Sequence, residues 1–130
     1  MKPIHLPPLG EIQLCRPPSF AAIYDVVNEW GGLYNTNQIQ TARGARLLCA
    51  VIGMCWAPDN AGPLPPEYQV TTGNPIAYGG QMMDWLARHK VEVLPIYQRG
   101  SDLIVELNAG LPTQPDVEAA KDFSVVSEVV

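Results

Sequence analysis

Residues 47–57, Leu-Leu-Cys-Ala-Val-Ile-Gly-Met-Cys-Trp-Ala, form the longest apolar stretch of the chain, 11 positions without a charge. A bilayer span needs about 20 such residues, so this one belongs inside a folded domain. At helical pitch Ile39, Ala42, Ala45, Cys49, Ile52 and Trp56 form one stripe, and Leu47, Leu48, Val51, Met54 and Cys55 fill the other sides. A helix apolar all round is a central one. It is predicted to start between Thr36 and Gln38 and to run to about Trp56, where Pro58, Asp59-Asn60 and Gly62 stop it. The rest of the chain must cover it.

The covering segments read as short helices. Ser19 is a candidate N-cap, with Phe20, Ile23, Val27 and Trp30 on one face behind it and Gly31-Gly32 as the expected end. Asn74 caps a third helix with Pro75 in its first turn. Its stripe is Ile76, Gly80, Met83 and Ala87, extended by Met82, Trp85 and Leu86, and Asp84 with Arg88 is spaced for an outside ion pair. Two interior glycines cost about 0.5–1 kcal/mol each relative to alanine. Gly79-Gly80 therefore implies something pressed against the backbone, the central helix before any ligand. Pro95 opens a last helix to Leu107 or Asn108, continuous if Gly100 lies inside it and broken in two if Gly100-Ser101 interrupts it; Gly110 and Pro112 close it.

Before the helices, Ile12 and Leu14 alternate with Gln13 and Cys15, and Pro7-Pro8 with Gly10 supplies a turn. This predicts a small β-hairpin within residues 1–18, which its prolines hold at an edge or leave loose. The expected fold class is mainly α: one domain over 1–111, with helices near 19–30, 37–57, 75–89 and 95–108 and the short N-terminal hairpin. Residues 112–130 carry Asp116, Glu118, Asp122 and Glu128 against Lys121, and are expected to be poorly ordered or to order on a partner.

Bulk composition narrows the function classes. Charged residues are 16% of the chain against a typical ~25%, while 47% are hydrophobic. Apolar surface left over from the core suggests a protein partner. The net charge of −5 and the lack of a Lys/Arg cluster argue against nucleic acid. No membrane contact is expected, and the N-terminal stretch, broken by Pro3, Pro7 and Pro8, does not read as a signal peptide. The odd cysteine count, Cys15, Cys49 and Cys55, reads as reduced thiols.

No residue pattern calls for catalysis, a metal or a cofactor. Cys49 and Cys55 are separated by five residues, whereas paired zinc cysteines favour about two to four. His5 and His89 lie far apart, and His89 between Arg88 and Lys90 suits a helix C-terminus. The Trp30-Gly-Gly and Tyr78-Gly-Gly-Gln segments lack the lysine and spacing of a phosphate loop. Arg43 and Arg46 suit ion pairs with Asp25, Glu29 or the acidic tail, or else contact with an acidic partner. The candidate partner-binding residues are Arg43, Arg46, Trp56, Tyr68, Tyr78, Gly79, Gly80 and Trp85. The expected surface is the 58–73 loop with the exposed edges of the Gly79-Gly80 helix.

One composite pattern carries a resemblance. It joins Arg46 with Gly53-Met54-Cys55-Trp56, then a proline-rich loop containing Pro-Pro-Glu-Tyr68, then Asn74-Pro-Ile-Ala-Tyr-Gly-Gly80 leading into a helix. Over residues 4–108 it resembles the small tail assembly chaperones and related tail-module proteins of siphophage-type bacteriophages and prophages. Asn74 stands where that pattern expects an acidic cap, and 112–130 has no counterpart in it. The resemblance implies a non-enzymatic protein of the host bacterial cytoplasm that keeps tape-measure or tail-tube subunits soluble during tail assembly, with self-association as the other contact class. The competing classes are a virion component such as a tail-completion or head–tail joining protein, an inhibitor of a host protein, and an enzyme built on His89 or a cysteine with a carboxylate.

Overall fold

The computed structural model describes residues 1–112. In chain order it has β1 (Ile4–Leu6), β2 (Gly10–Ile12), α1 (Phe20–Asn35), α2 (Ala42–Met54), a 3-10 turn (Val70–Thr72), α3 (Pro75–Arg88) and α4 (Leu94–Ala109). The fold is thus the mainly α domain expected, four helices with a short N-terminal antiparallel hairpin. The predicted behaviour of the 112–130 tail lies outside the described residues beyond Pro112.

The central position of α2 follows from its sequence. Residues 47–52 are all buried, and α2 packs most extensively on α3 and then on α4. The start of α2 is later than predicted, because residues 36–38 are used to close α1. The amide of Gln38 donates to the Leu33 carbonyl and that of Asn37 to Tyr34, with Asn37 at φ +59. This paired closing pattern is the one usually made by glycine in the left-handed position. Thr41 then caps α2: its hydroxyl accepts from the Gly44 amide at 3.5 Å and donates back to the Gln38 carbonyl at 2.6 Å. The end is also earlier: Cys55 is the C-cap, and residues 55–57 leave the helix to pair with 13–15.

α1 runs straight through Gly31-Gly32, contrary to the expected stop. Leu33, one turn beyond Trp30, is buried and extends the apolar face, so continuing the helix buries more than ending it would. Phe20, placed on that face by periodicity, is 53% exposed; the face is made by Ala22, Ile23, Val26, Val27, Trp30 and Leu33. The α3 stripe is likewise rotated by about one position from the prediction. Ile76, Gly79, Met82 and Leu86 are buried, whereas Gly80 and Met83 are half-buried and Ala87 is exposed.

Gly79 is where the backbones meet. A Cβ there would lie 1.9 Å from the Arg46 carbonyl oxygen of α2, while one at Gly80 would meet only the Arg46 side chain at 4.0 Å. The expected close approach is therefore carried by one glycine of the pair. Gly100 settles the α4 alternatives: the helix is continuous, and Gly100 is buried with Leu48 2.9 Å from where its Cβ would be.

The hairpin is held, not loose. Ile4 and Ile12 pair across it, and Ile4, Leu6, Ile12 and Leu14 are buried. Arg99 of α4 donates to the Lys2 carbonyl and pairs with Glu106 at 2.7 Å. Neither the Asp84–Arg88 pair nor a pairing of Arg43 or Arg46 with Asp25 or Glu29 forms among the described residues. Asp25 is instead taken by the Tyr68 hydroxyl.

Candidate functional site

The extended pairing of 13–15 with 55–57 borders a concavity. Leu14 and Trp56 face each other in an antiparallel bridge, with the Cys15 amide on the Cys55 carbonyl at 2.7 Å and the Ala57 amide on Gln13 at 3.1 Å. Asn60 locks the exit of this pairing. Its carboxamide accepts from the Gln13 amide and donates to the Gln13 carbonyl, both at 2.8 Å. The chain then turns into the proline-rich loop, which lies across the entrance of α1 and the end of α2.

Between these segments is an open groove of about 500 Å³. One wall is Cys15, Pro17, Pro18 and Ala22; the floor is Gly53, Met54 and Trp56; the opposite wall is Leu64, Pro65, Pro66, Tyr68 and Val70. With Pro58 the lining holds five prolines, which carry no amide to donate, and Ser19 and Glu67 are the polar side chains set among the apolar ones. Leu64 is 63% exposed on the lip.

Two tyrosines hold the loop in place. The Tyr68 hydroxyl donates to Asp25 of α1 at 2.6 Å, and the Tyr78 hydroxyl donates to the Pro66 carbonyl at 2.7 Å. Their rings meet edge to face, centroids 5.2 Å apart. Gly53 makes room for this: a side chain there would overlap the Tyr78 hydroxyl and the Met82 sulfur. Burial, and for Tyr68 the bond to Asp25, pushes both phenols well above their usual ionisation range. Burial likewise pushes the Cys49 and Cys55 thiols up to about 12. None of the four is poised as a nucleophile or base near neutral pH.

The predicted partner-binding residues separate into three groups. Trp56 and Tyr68 line the groove. Tyr78 and Trp85 are 4% and 5% exposed and act from behind, Tyr78 through the loop and Trp85 by an edge contact with Trp56 at 5.5 Å. They are core residues, because their ring area is consumed by packing. Gly79 is likewise sealed by Arg46, and Gly80 is half-buried on α3. Arg43 and Arg46 are exposed on α2 and do not line the groove. The 58–73 loop lines this groove opposite the α1 entrance and the α2 end, not along the Gly79-Gly80 edge.

Leu64 and Val70 fall in the 58–73 loop named from sequence, whereas Cys15, Pro17 and Met54 were not placed at a surface site by it. The signal available was the matched pair of proline clusters, Pro17-Pro18 and Pro63-Leu-Pro-Pro66, which are poor core formers and suit rigid surface walls. Among the described residues no group of three or more His, Cys, Asp or Glu could hold a metal ion, and no helix is long and apolar enough to cross a membrane. His89 is the C-cap of α3, its ring against Trp85 at 4.6 Å. No family model, curated protein or solved structure matches the chain.

Proposed function

We propose that this chain is a non-enzymatic tail assembly protein of a siphophage-type bacteriophage or prophage. It would bind tape-measure or tail-tube subunits in the bacterial cytoplasm and keep them soluble until they are built into the tail. The observation that carries this reading is the open apolar groove between Pro17-Pro18, the α2 end and the proline-rich loop, with Leu64 exposed on its lip. An unassembled subunit displays apolar segments that are covered in the finished tail. A shallow groove of about 500 Å³ takes a few side chains of such a segment, and so suits a hold that must later release. Arg43 and Arg46, exposed and without ion pairs among the described residues, lie near the α2 start away from the groove and offer a separate cationic patch to an acidic client surface.

The test is co-purification of the tagged chain from cells producing the phage, beside mass spectrometry of finished particles. Recovery with tape-measure or tube subunits and absence from the particle is the expected result. Presence in the particle at ring-like copy number would replace the chaperone with a virion component. Recovery with a host protein alone would replace it with an inhibitor.

A further inference from the structure

The groove is lined by residues drawn from 15–22 and 53–70, and the chain around both stretches carries charge of one sign. The sequence has eight Lys and Arg residues, yet none falls in 17–42 or in 47–87. The first range holds Asp25 and Glu29, the second Asp59, Glu67 and Asp84. Arg16, between Cys15 and Pro17 of the lining, is turned to the end of α4: its guanidinium donates to the Leu107 carbonyl and lies against Gly110. The partial positive charge of the α1 start is met by Ser19, whose hydroxyl accepts from the Ala22 amide.

The acids reach the groove itself. Glu67 lines it, and Asp59 directly follows Pro58 of the lining. Both are exposed, and neither is in an ion pair among the described residues. Asp25 stands behind the wall, accepting from the Tyr68 hydroxyl.

An apolar site of about 500 Å³ discriminates weakly among apolar side chains of similar size. Charges at its rim discriminate better, because they repel a like charge and draw in an opposite one. Low-dielectric walls beside them strengthen both effects. Lys and Arg suit such a place, since their stems bury on apolar surface while the charged head stays in water.

We propose that the groove takes a short apolar segment flanked by Lys or Arg, with its apolar side chains against Trp56 and Leu64 and its cations at Glu67 and Asp59. This rests on the reading of the groove as a client site and adds the chemistry by which a client is chosen. A random peptide library is selected on the full chain, and the enriched peptides are synthesised with a fluorescent label. Affinity is read by anisotropy for the full chain and for its Asp59→Lys/Glu67→Lys form, whose substitutions are at exposed positions. A salt titration of the unsubstituted chain gives the same charge readout without a variant. Occupation of the groove is read by protection of Cys15 from iodoacetamide, because Cys15 is exposed and lines the groove while Cys49 and Cys55 are buried. The enriched peptides are expected to place Lys or Arg beside apolar residues and to protect Cys15. They should bind roughly tenfold more weakly to the substituted chain, and more weakly to the unsubstituted one as salt is raised. Peptides that protect Cys15 but show no excess of Lys or Arg, or whose affinity ignores both salt and substitution, would overturn the proposal and leave the client groove standing. Failure of every enriched peptide to protect Cys15 would overturn the groove reading with it.

Discussion

Gly79 and Gly80 stand side by side in one helix and have opposite roles. At Gly79 the α2 backbone takes the place of a side chain, and the Arg46 carbonyl has no rotamer by which to yield. At Gly80 the space is open and the conformation helical. Gly79→Ala is therefore expected to destabilise the fold by about 2–4 kcal/mol, since α3 must move off α2. Gly80→Ala is expected to stabilise it by about 0.4–1 kcal/mol through lower unfolded-state entropy. Urea denaturation of both variants checks the pair; equal and opposite assignments, or two similar losses, would contradict this account of the contact. The sequence showed that a close approach was needed, because two glycines in one helix demand a reason. Which of the two made it depends on a rotation of about one position in the buried face, and hydrophobic periodicity does not resolve that.

Helix ends were harder to read than helix interiors, and for one physical cause. The left-handed closing residue is commonly glycine, so Gly31-Gly32 looked like an end and Asn37 and Lys90 did not. The fold uses Asn37 at φ +59 to close α1 and Lys90 at φ +57 to close α3. In α3 the Val91 amide donates to Leu86 and the Lys90 amide to Ala87, and both Val91 and Leu86 are buried. Lys90 tolerates the strain because this end is clamped from both sides. A side chain in that conformation is disfavoured by roughly 1–2 kcal/mol, most of which glycine avoids. Lys90→Gly is accordingly expected to raise stability by about 0.5–1 kcal/mol with no change in fold, measured as a higher melting temperature. A drop in melting temperature would mean that the lysine side chain holds α3 by contacts stronger than the strain. Two helix N-termini, by contrast, were legible, since Ser19 and Asn74 accept from Ala22 and Ala77 as their side chains predict, whereas the Thr41 cap of α2 was missed. The groove was legible only in half, because the loop that walls it is local sequence while the facing wall comes from residues 15–18, some forty positions earlier.

At the scale of the whole molecule, the fold keeps its ionisable core groups neutral. Cys49 and Cys55 lie against the central helix packing, and burial raises both thiols to about 12 from an ordinary value of 9.0. Tyr78 and Tyr68 are raised as well, by burial first and for Tyr68 then by its bond to Asp25. A group whose folded pKa lies above its unfolded one contributes stability that is complete below the unfolded value. That contribution is lost as pH rises, because the unfolded chain releases the proton first. The window for the two thiols therefore opens near pH 9 and closes near 12. Inside it each thiol removes up to roughly 1.4 kcal/mol per pH unit, and the tyrosines add to the slope above pH 10. The chain already carries a net charge of −5, so added negative charge also raises self-repulsion in the compact state. Urea midpoints are expected to be nearly level from about pH 7 to 8.5 and to fall steeply above it. Cys49→Ala should flatten the fall while lowering stability at neutral pH. A midpoint that stays level through about pH 10.5 would mean that the core opens to water at the α2 end, where Cys55 adjoins the groove floor.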